Sequence, residues 1–277
     1  MLLAIDVGNT NTVFAVHDDE AFAATWRIRT EGRRTADEYF VWLSQLMNHA
    51  GVPRQAITGV VIASVAPETL FNLRRLAMDY FALAPLIVGE PGVDFGVEVR
   101  TARPAEVGAD RVVNALAAYR RYGPDLIVVD FGTATTFDVI DHDGAYAGGV
   151  IAPGVNLSSE ALFQATSKLP RIDVAKPPQV VGLDTVPAMQ SGLFWGYVGL
   201  IEGICARVKA ERARPMTVIA TGGLSALFAQ GAEMIDHVDE DLTLRGLVEI
   251  HRRNVGRPER RPNNNGSFVD ERPSRKD

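Results

Sequence analysis

The chain is short of most of the patterns that announce common biochemical functions. Of its 277 residues only Cys205 is a cysteine, so it can form no intrachain disulfide and no cysteine-based zinc site. Cys205 lies in an apolar helical stretch and reads as a small core residue. Its five histidines, His17, His49, His142, His237 and His251, are scattered without ligand spacing and read as surface or loop residues. Neither Gly-x-Gly-x-x-Gly nor Gly-x-x-x-x-Gly-Lys-Ser/Thr occurs, which removes the dinucleotide fingerprint and the P-loop. Basic residues are not in surplus. The formal net charge of −6 argues against a general nucleic-acid binder, which carries a basic face. The apolar run Leu193 to Ile201 meets Glu202 before it is long enough for a bilayer, so no membrane partner is expected. Met1-Leu2-Leu3-Ala4-Ile5-Asp6 reaches a carboxylate with no basic flank, so no secretory signal is expected and the location is read as cytoplasmic.

What the chain does have is one pattern written twice. Leu3-Ala4-Ile5-Asp6-Val7-Gly8-Asn9-Thr10-Asn11-Thr12-Val13-Phe14 returns as Ile127-Val128-Val129-Asp130-Phe131-Gly132-Thr133-Ala134-Thr135-Thr136-Phe137, with Asp6 and Asp130, Gly8 and Gly132, and Thr12 and Thr136 each 124 positions apart. Each copy reads as a buried strand, an Asp-x-Gly turn bearing hydroxyl and amide groups, and a second apolar strand. Such a turn suits phosphate: glycine lets successive N–H groups approach an anion, and the threonine and asparagine side chains add donors. An aspartate at the strand end supplies a hard oxygen for Mg²⁺ or its waters. One copy alone is ordinary hairpin chemistry, whereas two in register predict a duplicated unit whose hairpins face each other across a cleft.

Around these hairpins, strands are predicted near 2–7, 12–17, 22–29, 58–65, 85–89, 126–131, 135–141, 145–152 and 216–220. Helices are predicted near 35–50, 67–82, 104–121, 155–167 and 186–210, with two more closing the chain. Strands mixed with helices in this order indicate an α/β layered protein. The boundary between two domains, 1–122 and 123–255, falls at Tyr122-Gly123-Pro124-Asp125, and residues 256–277 are read as a disordered tail because they hold almost no apolar surface. Gly192, Gly196, Gly199 and Gly203 share one helix face, which implies close approach by another surface; the domain's own sheet is favoured over a second subunit. Asp110, in Gly108-Ala109-Asp110-Arg111 just before a predicted helix, reads either as a helix N-cap or as a carboxylate that orients an acceptor hydroxyl and takes its proton. Capping N–H groups would lower its pKa. Arg111 reads as a partner for a substrate carboxylate or as half of a surface ion pair.

Taken together, the Asp6-to-Val13 hairpin, Gly108-Ala109-Asp110-Arg111, Asp130-Phe131-Gly132-Thr133-Ala134-Thr135-Thr136, Gly148-Gly149-Val150-Ile151-Ala152-Pro153-Gly154, Ala188-Met189-Gln190-Ser191-Gly192 and Thr221-Gly222-Gly223 resemble the type III pantothenate kinases, of the superfamily of acetate and sugar kinases, actin and the heat-shock chaperone ATPases. The resemblance runs from residue 1 to about 253. It implies two duplicated ribonuclease H-like, actin-like ATPase domains with an ATP cleft between them, and phosphorylation of pantothenate as the first step toward coenzyme A. It also implies that Asp6, Val7, Gly8, Asn9, Thr10, Asn11, Thr12 and Val13 wrap the ATP phosphates, with Thr133 touching them from the other side. Asp130 would hold a monovalent cation, K⁺ or NH₄⁺, and Asp6 the Mg²⁺ that accompanies ATP, directly or through water. Gly108, Ala109, Asp110 and Arg111 would bind pantothenate, with Asp110 catalytic and Thr185 donated across a homodimer interface. The nucleoside would lie against Thr221-Gly222-Gly223. Two departures stand out: Arg100-Thr101-Ala102-Arg103-Pro104 lacks the tyrosine of the family's Arg-Tyr-Asp-Asn-Pro, and Asp184 replaces the usual Asn before Thr185. The competing readings are another small-molecule kinase of the superfamily and a non-enzymatic ATP-binding regulator.

Overall fold

A computed structural model describes residues 1–255, so the expected tail at 256–277 lies outside the described residues. The chain builds β1 (Leu2–Val7), β2 (Asn11–His17), β3 (Phe22–Arg29), α1 (Ala36–His49), β4 (Gly59–Ser64), α2 (Pro67–Arg75), β5 (Leu86–Ile87) and α3 (Ala109–Tyr122). It continues with β6 (Leu126–Phe131), β7 (Ala134–Ile140), β8 (Tyr146–Pro153), α4 (Val155–Gln164), α5 (Thr185–Arg212), β9 (Thr217–Gly222), α6 (Ser225–Phe228), β10 (His237–Val238) and α7 (Leu242–Asn254). The helix expected over 67–82 is α2 followed by a wider π turn at Leu76–Tyr80.

Two five-stranded sheets result, ordered β3-β2-β1-β4-β5 and β10-β9-β6-β7-β8. Read backwards, the second repeats the first. In each, a central strand pairs antiparallel with the next strand in sequence and parallel with a later one. Period-two alternation decides what each face buries. Leu3, Ile5 and Val7 of β1 pack with Tyr39, Leu43 and Met47 of α1, whereas Leu2 and Ala4 turn toward Val113 and Leu116 of α3 and Leu247 and Ile250 of α7. Ala115, Ala117 and Ala118 of α3 pack on Leu126 and Val128 of the second sheet. A helix buried between two sheets is apolar nearly all round, which accounts for the run Val112–Ala118. The layers therefore run α1/α2, first sheet, α3/α7, second sheet, α5/α6. α7 follows the second sheet in sequence but docks on the first.

Local chemistry sets the element ends. α1 starts on a capping box in which the Thr35 hydroxyl accepts from Glu38 N–H and the Glu38 carboxylate accepts from Thr35 N–H. α5 buries Leu193, Phe194, Tyr197, Val198, Ile201 and Cys205 against the second sheet. Its glycines lie elsewhere: a Cβ placed on Gly192, Gly196 or Gly199 would meet no atom within 4 Å. The expectation that the domain's own sheet approaches this face is corrected, because the large side chains, not the glycines, face the sheet. Among the described residues no helix is long and apolar enough to cross a membrane.

Candidate active site

Both Asp-x-Gly turns lie at the C-terminal ends of the central strands, on the side of each sheet that faces α3. Their tips touch: Thr10 Oγ1 and Thr133 Oγ1 are 2.9 Å apart. Around them Asn9, Thr10, Asn11, Gly132 and Thr133 are exposed, so their donors are open to a ligand. Gly8 N–H donates to Asn11 O and Gly132 N–H to Ala134 O, each at 3.0 Å, closing the two turns.

The turns are not the same length. Val7 pairs with Thr12 across a four-residue turn, and Phe131 pairs with Thr135 across three. The constant spacing read from the sequence therefore holds through the glycines and shifts by one after them, so Thr12 is matched in space by Thr135, not by Thr136. Both of these threonines are fully buried. The Thr12 hydroxyl bonds that of Thr30 at 2.9 Å, while the Thr135 hydroxyl has no partner among the described residues.

Beneath the tips lies a cluster of carboxylates. Burial, then the charges of Asp110 and Asp130, push Asp6 up to about 7. Burial, then Asp110 and Asp138, push Asp130 up to about 7. Burial likewise raises Asp110, opposed by the Arg111 backbone N–H, which donates to Asp110 Oδ1 at 2.8 Å. The sequence expectation is corrected here: the N-cap of α3 is Gly108, and Asp110 sits inside the first turn, where burial outweighs hydrogen bonding and the shift is upward, not downward. Asp110 and Asn114, four residues apart, share one helix face. Asn114 Nδ2 donates to Asp130 Oδ2 at 3.0 Å, held in that sense because Asn114 Oδ1 accepts from Thr243 Oγ1 at 2.7 Å.

Arg111 is no surface residue. Its Nε donates to Asp138 Oδ1 at 2.6 Å, its Nη2 is buried without a hydrogen-bond partner among the described residues, and it lies over the Tyr146 ring at 5.6 Å. Asp138, fully buried, also accepts from Tyr146 Oη and Thr136 Oγ1, each at 2.9 Å. Sequence reasoning missed Asp138, Tyr146 and Asn114. The available signal was a charged residue in an otherwise apolar strand, and a polar one in an apolar helix.

Gly222, with φ of +86°, is needed where it stands: a Cβ there would lie 2.6 Å from Asp130 Oδ1 and 2.7 Å from Phe131 O. Gly223 beside it faces open space. Asp110 thus clusters with Asp6 and Asp130, and Gly108, Ala109 and Arg111 flank it at the start of α3. Thr185 does not join them within one chain; it is exposed at the start of α5, after Asp184. Asp141, His142 and Asp143 bring three ligand atoms within 4.8 Å at the far end of β7, where Arg100 already pairs both carboxylates.

Comparison with known proteins gives the family and the fold. The family model for type III pantothenate kinase matches residues 2–207. Type III pantothenate kinases of Caulobacter vibrioides and Dinoroseobacter shibae are 57% and 59% identical, over 92% and 91% of this chain and 98% of each relative. Among solved structures, a conserved putative Baf family transcriptional activator from Campylobacter jejuni superposes with a TM-score of 0.55 at 19% identity, covering 91% of this chain and 98% of that one. A putative 2-dehydro-3-deoxygalactonokinase from Sinorhizobium meliloti gives 0.54 at 13% identity, over 94% and 98%. Both share the fold.

Proposed function

The chain belongs to the type III pantothenate kinase family, and from that premise we propose how its cleft carries out the reaction. The enzyme phosphorylates pantothenate with ATP, in the first step of coenzyme A biosynthesis. The observation that carries the residue assignment is the meeting of Thr10 with Thr133 above Asp6, Asp110 and Asp130. We take 1–122 and 123–255 as its two lobes, with α7 crossing back to the first. The first hairpin, Asp6 to Val13, wraps the triphosphate with backbone N–H groups and hydroxyls, and Thr133 closes on it from the second lobe.

Asp110 is the acceptor-side base. The pantothenate hydroxyl oxygen bonds to the γ-phosphorus as the bond from that phosphorus to the β–γ bridging oxygen breaks. ADP leaves with the electron pair, and the hydroxyl proton passes to Asp110. Burial raises this carboxyl toward the pH at which it works, which favours proton acceptance. The unpaired Arg111 Nη2 is offered to pantothenate, and Gly108 and Ala109 let the substrate approach the start of α3.

Half-buried carboxylates at Asp6 and Asp130, both raised first by burial and then by the charge of Asp110, are a donor set suited to hard cations. Asp6 would hold Mg²⁺, directly or through water, and Asp130, fixed by Asn114, would hold K⁺ or NH₄⁺; such cations neutralise phosphate charge. A homodimer is supported by the bare glycine face of α5 and by exposed Ile151, Leu157, Val181, Leu183 and Val186. It would let Thr185 reach the partner's pantothenate. The cytoplasm is the proposed location. The test is turnover measured by ADP release. Pantothenate should be phosphorylated, with K⁺ stimulating the rate, and turnover on a sugar but none on pantothenate would refute the reading.

A further inference from the structure

One cation that faces this cleft has no partner. In β3, Trp26 and Ile28 pack into the core under α1, so the alternate residues Arg27 and Arg29 emerge on the opposite face. That is the face of Ala4, Val13 and Ala15, against which α3 and α7 lie. The register makes the placement specific. Asp6 is opposite Val13, and Val13 is opposite Arg27, so the three form one row across three strands. Arg27 then stands two strand spacings, roughly 10 Å at the backbone, from Asp6, within range for a long side chain leaning over Val13.

The strand carrying it is tied to the phosphate hairpin. Thr30, just after β3, donates its N–H to Thr10 O at 3.0 Å and its hydroxyl to Gly8 O at 2.7 Å, and its hydroxyl also meets that of Thr12. Arg27 therefore cannot shift independently of the loop formed by residues 8–11. The row Asp6–Val13–Arg27 also places the two opposite charges on the same face of the sheet. Arg27 is exposed, and its guanidinium makes no hydrogen bond or ion pair among the described residues. Arg111, by contrast, is already engaged by Asp138.

We propose that Arg27 is a catalytic residue that contacts the γ-phosphoryl group of ATP and stabilises the charge it carries during transfer. This rests on the reading of the cleft as the kinase site. Transfer gathers negative charge on the equatorial oxygens at a place where Asp6, Asp110, Asp130 and Asp138 already contribute carboxylates, and positioning plus electrostatic compensation is nearly all the catalysis this reaction needs. The planar fork of an arginine offers paired donors to those oxygens that a lysine does not.

The test uses the full-length enzyme and compares wild type, Arg27→Met and Arg27→Lys by steady-state kinetics and by calorimetric titration with MgADP and with Mg²⁺ and β,γ-methylene-ATP. Arg27→Met should lose about 10²-fold in kcat with pantothenate, the size of a lost charge-stabilising donor. It should bind the ATP analogue about tenfold more weakly while binding ADP as wild type does, because only the γ-phosphoryl contact is gone. Arg27→Lys should recover the analogue's affinity but only part of kcat. Equal weakening of both nucleotides with a lowered Tm would make Arg27 a structural residue, and a variant matching wild type in kcat and in both affinities would overturn the proposal. Failure of the wild type on pantothenate would strike the kinase reading instead, while the two-nucleotide titration still judges Arg27.

Discussion

The two hairpins share one sequence pattern and differ in geometry. In the first, the turn is a residue longer and carries Asn9, Thr10 and Asn11, and the Asp6 carboxylate beneath it accepts no hydrogen bond among the described residues. In the second, the turn is shorter, Asp130 is pinned by Asn114, and Gly222 is cleared of a side chain to admit its other oxygen. A long donor-rich loop over a free carboxylate suits a polyanion with a hydrated metal, whereas a fixed carboxylate suits an ion held directly. The lesson is that equal spacing in sequence marks a repeated unit, while the one-residue difference in the turn marks where its two copies diverge in geometry.

Breaking the shared element between the hairpins should have the largest effect. Asp110→Asn should lower turnover by about 10²-fold or more while leaving ATP affinity and Tm near wild type, as checked by ADP release and calorimetry. Next, Asn114→Ala should act on the second hairpin alone. It should raise the K⁺ concentration for half-maximal activation about tenfold, as loss of an outer-shell partner does, with the Mg²⁺ dependence unmoved. Equal changes in both cation responses would erase the proposed division.

A steric comparison follows. A Cβ on Gly154 would fall 2.1 Å from Thr133 O, whereas one on Gly8 would fall 3.2 Å from Asn11 O. Gly154→Ala should therefore cost about 1–3 kcal/mol in unfolding free energy, and Gly8→Ala less. Chemical denaturation reads both.

The smallest effect concerns pH. Folded-state values near 7 for Asp6 and Asp130, against an ordinary 3.8, mean that the folded chain holds protons that the unfolded chain releases. These groups therefore cost stability as pH rises from about 4 to 7, and the cost is complete above that. Mg²⁺ and K⁺ should accordingly raise Tm more at pH 8 than at pH 6, and an equal rise at both would count against cation binding by these carboxylates.

Much of this was legible in the sequence, for identifiable reasons. Alternation in β1 and β6 and the Asp-x-Gly turns are local patterns, so the hairpins and the α/β character could be read directly. Asp110 was singled out because family resemblance and acid–base chemistry converge on it. Asp138, Tyr146 and Asn114 escaped because their importance lies in contacts between elements 8 to 129 residues apart. The glycine stripe of α5 was read correctly as a shared face but assigned the wrong neighbour, since spacing gives a face and not what covers it. The one-residue change of register was hidden because Thr135 and Thr136 are the same residue type.

The most direct test of the central claim is a crystal structure with Mg²⁺ and β,γ-methylene-ATP. The account predicts one triphosphate held between residues 8–11 and Thr133, with its γ-phosphoryl end toward Asp110. A triphosphate gripped by one lobe alone, or bound away from both turns, would contradict it.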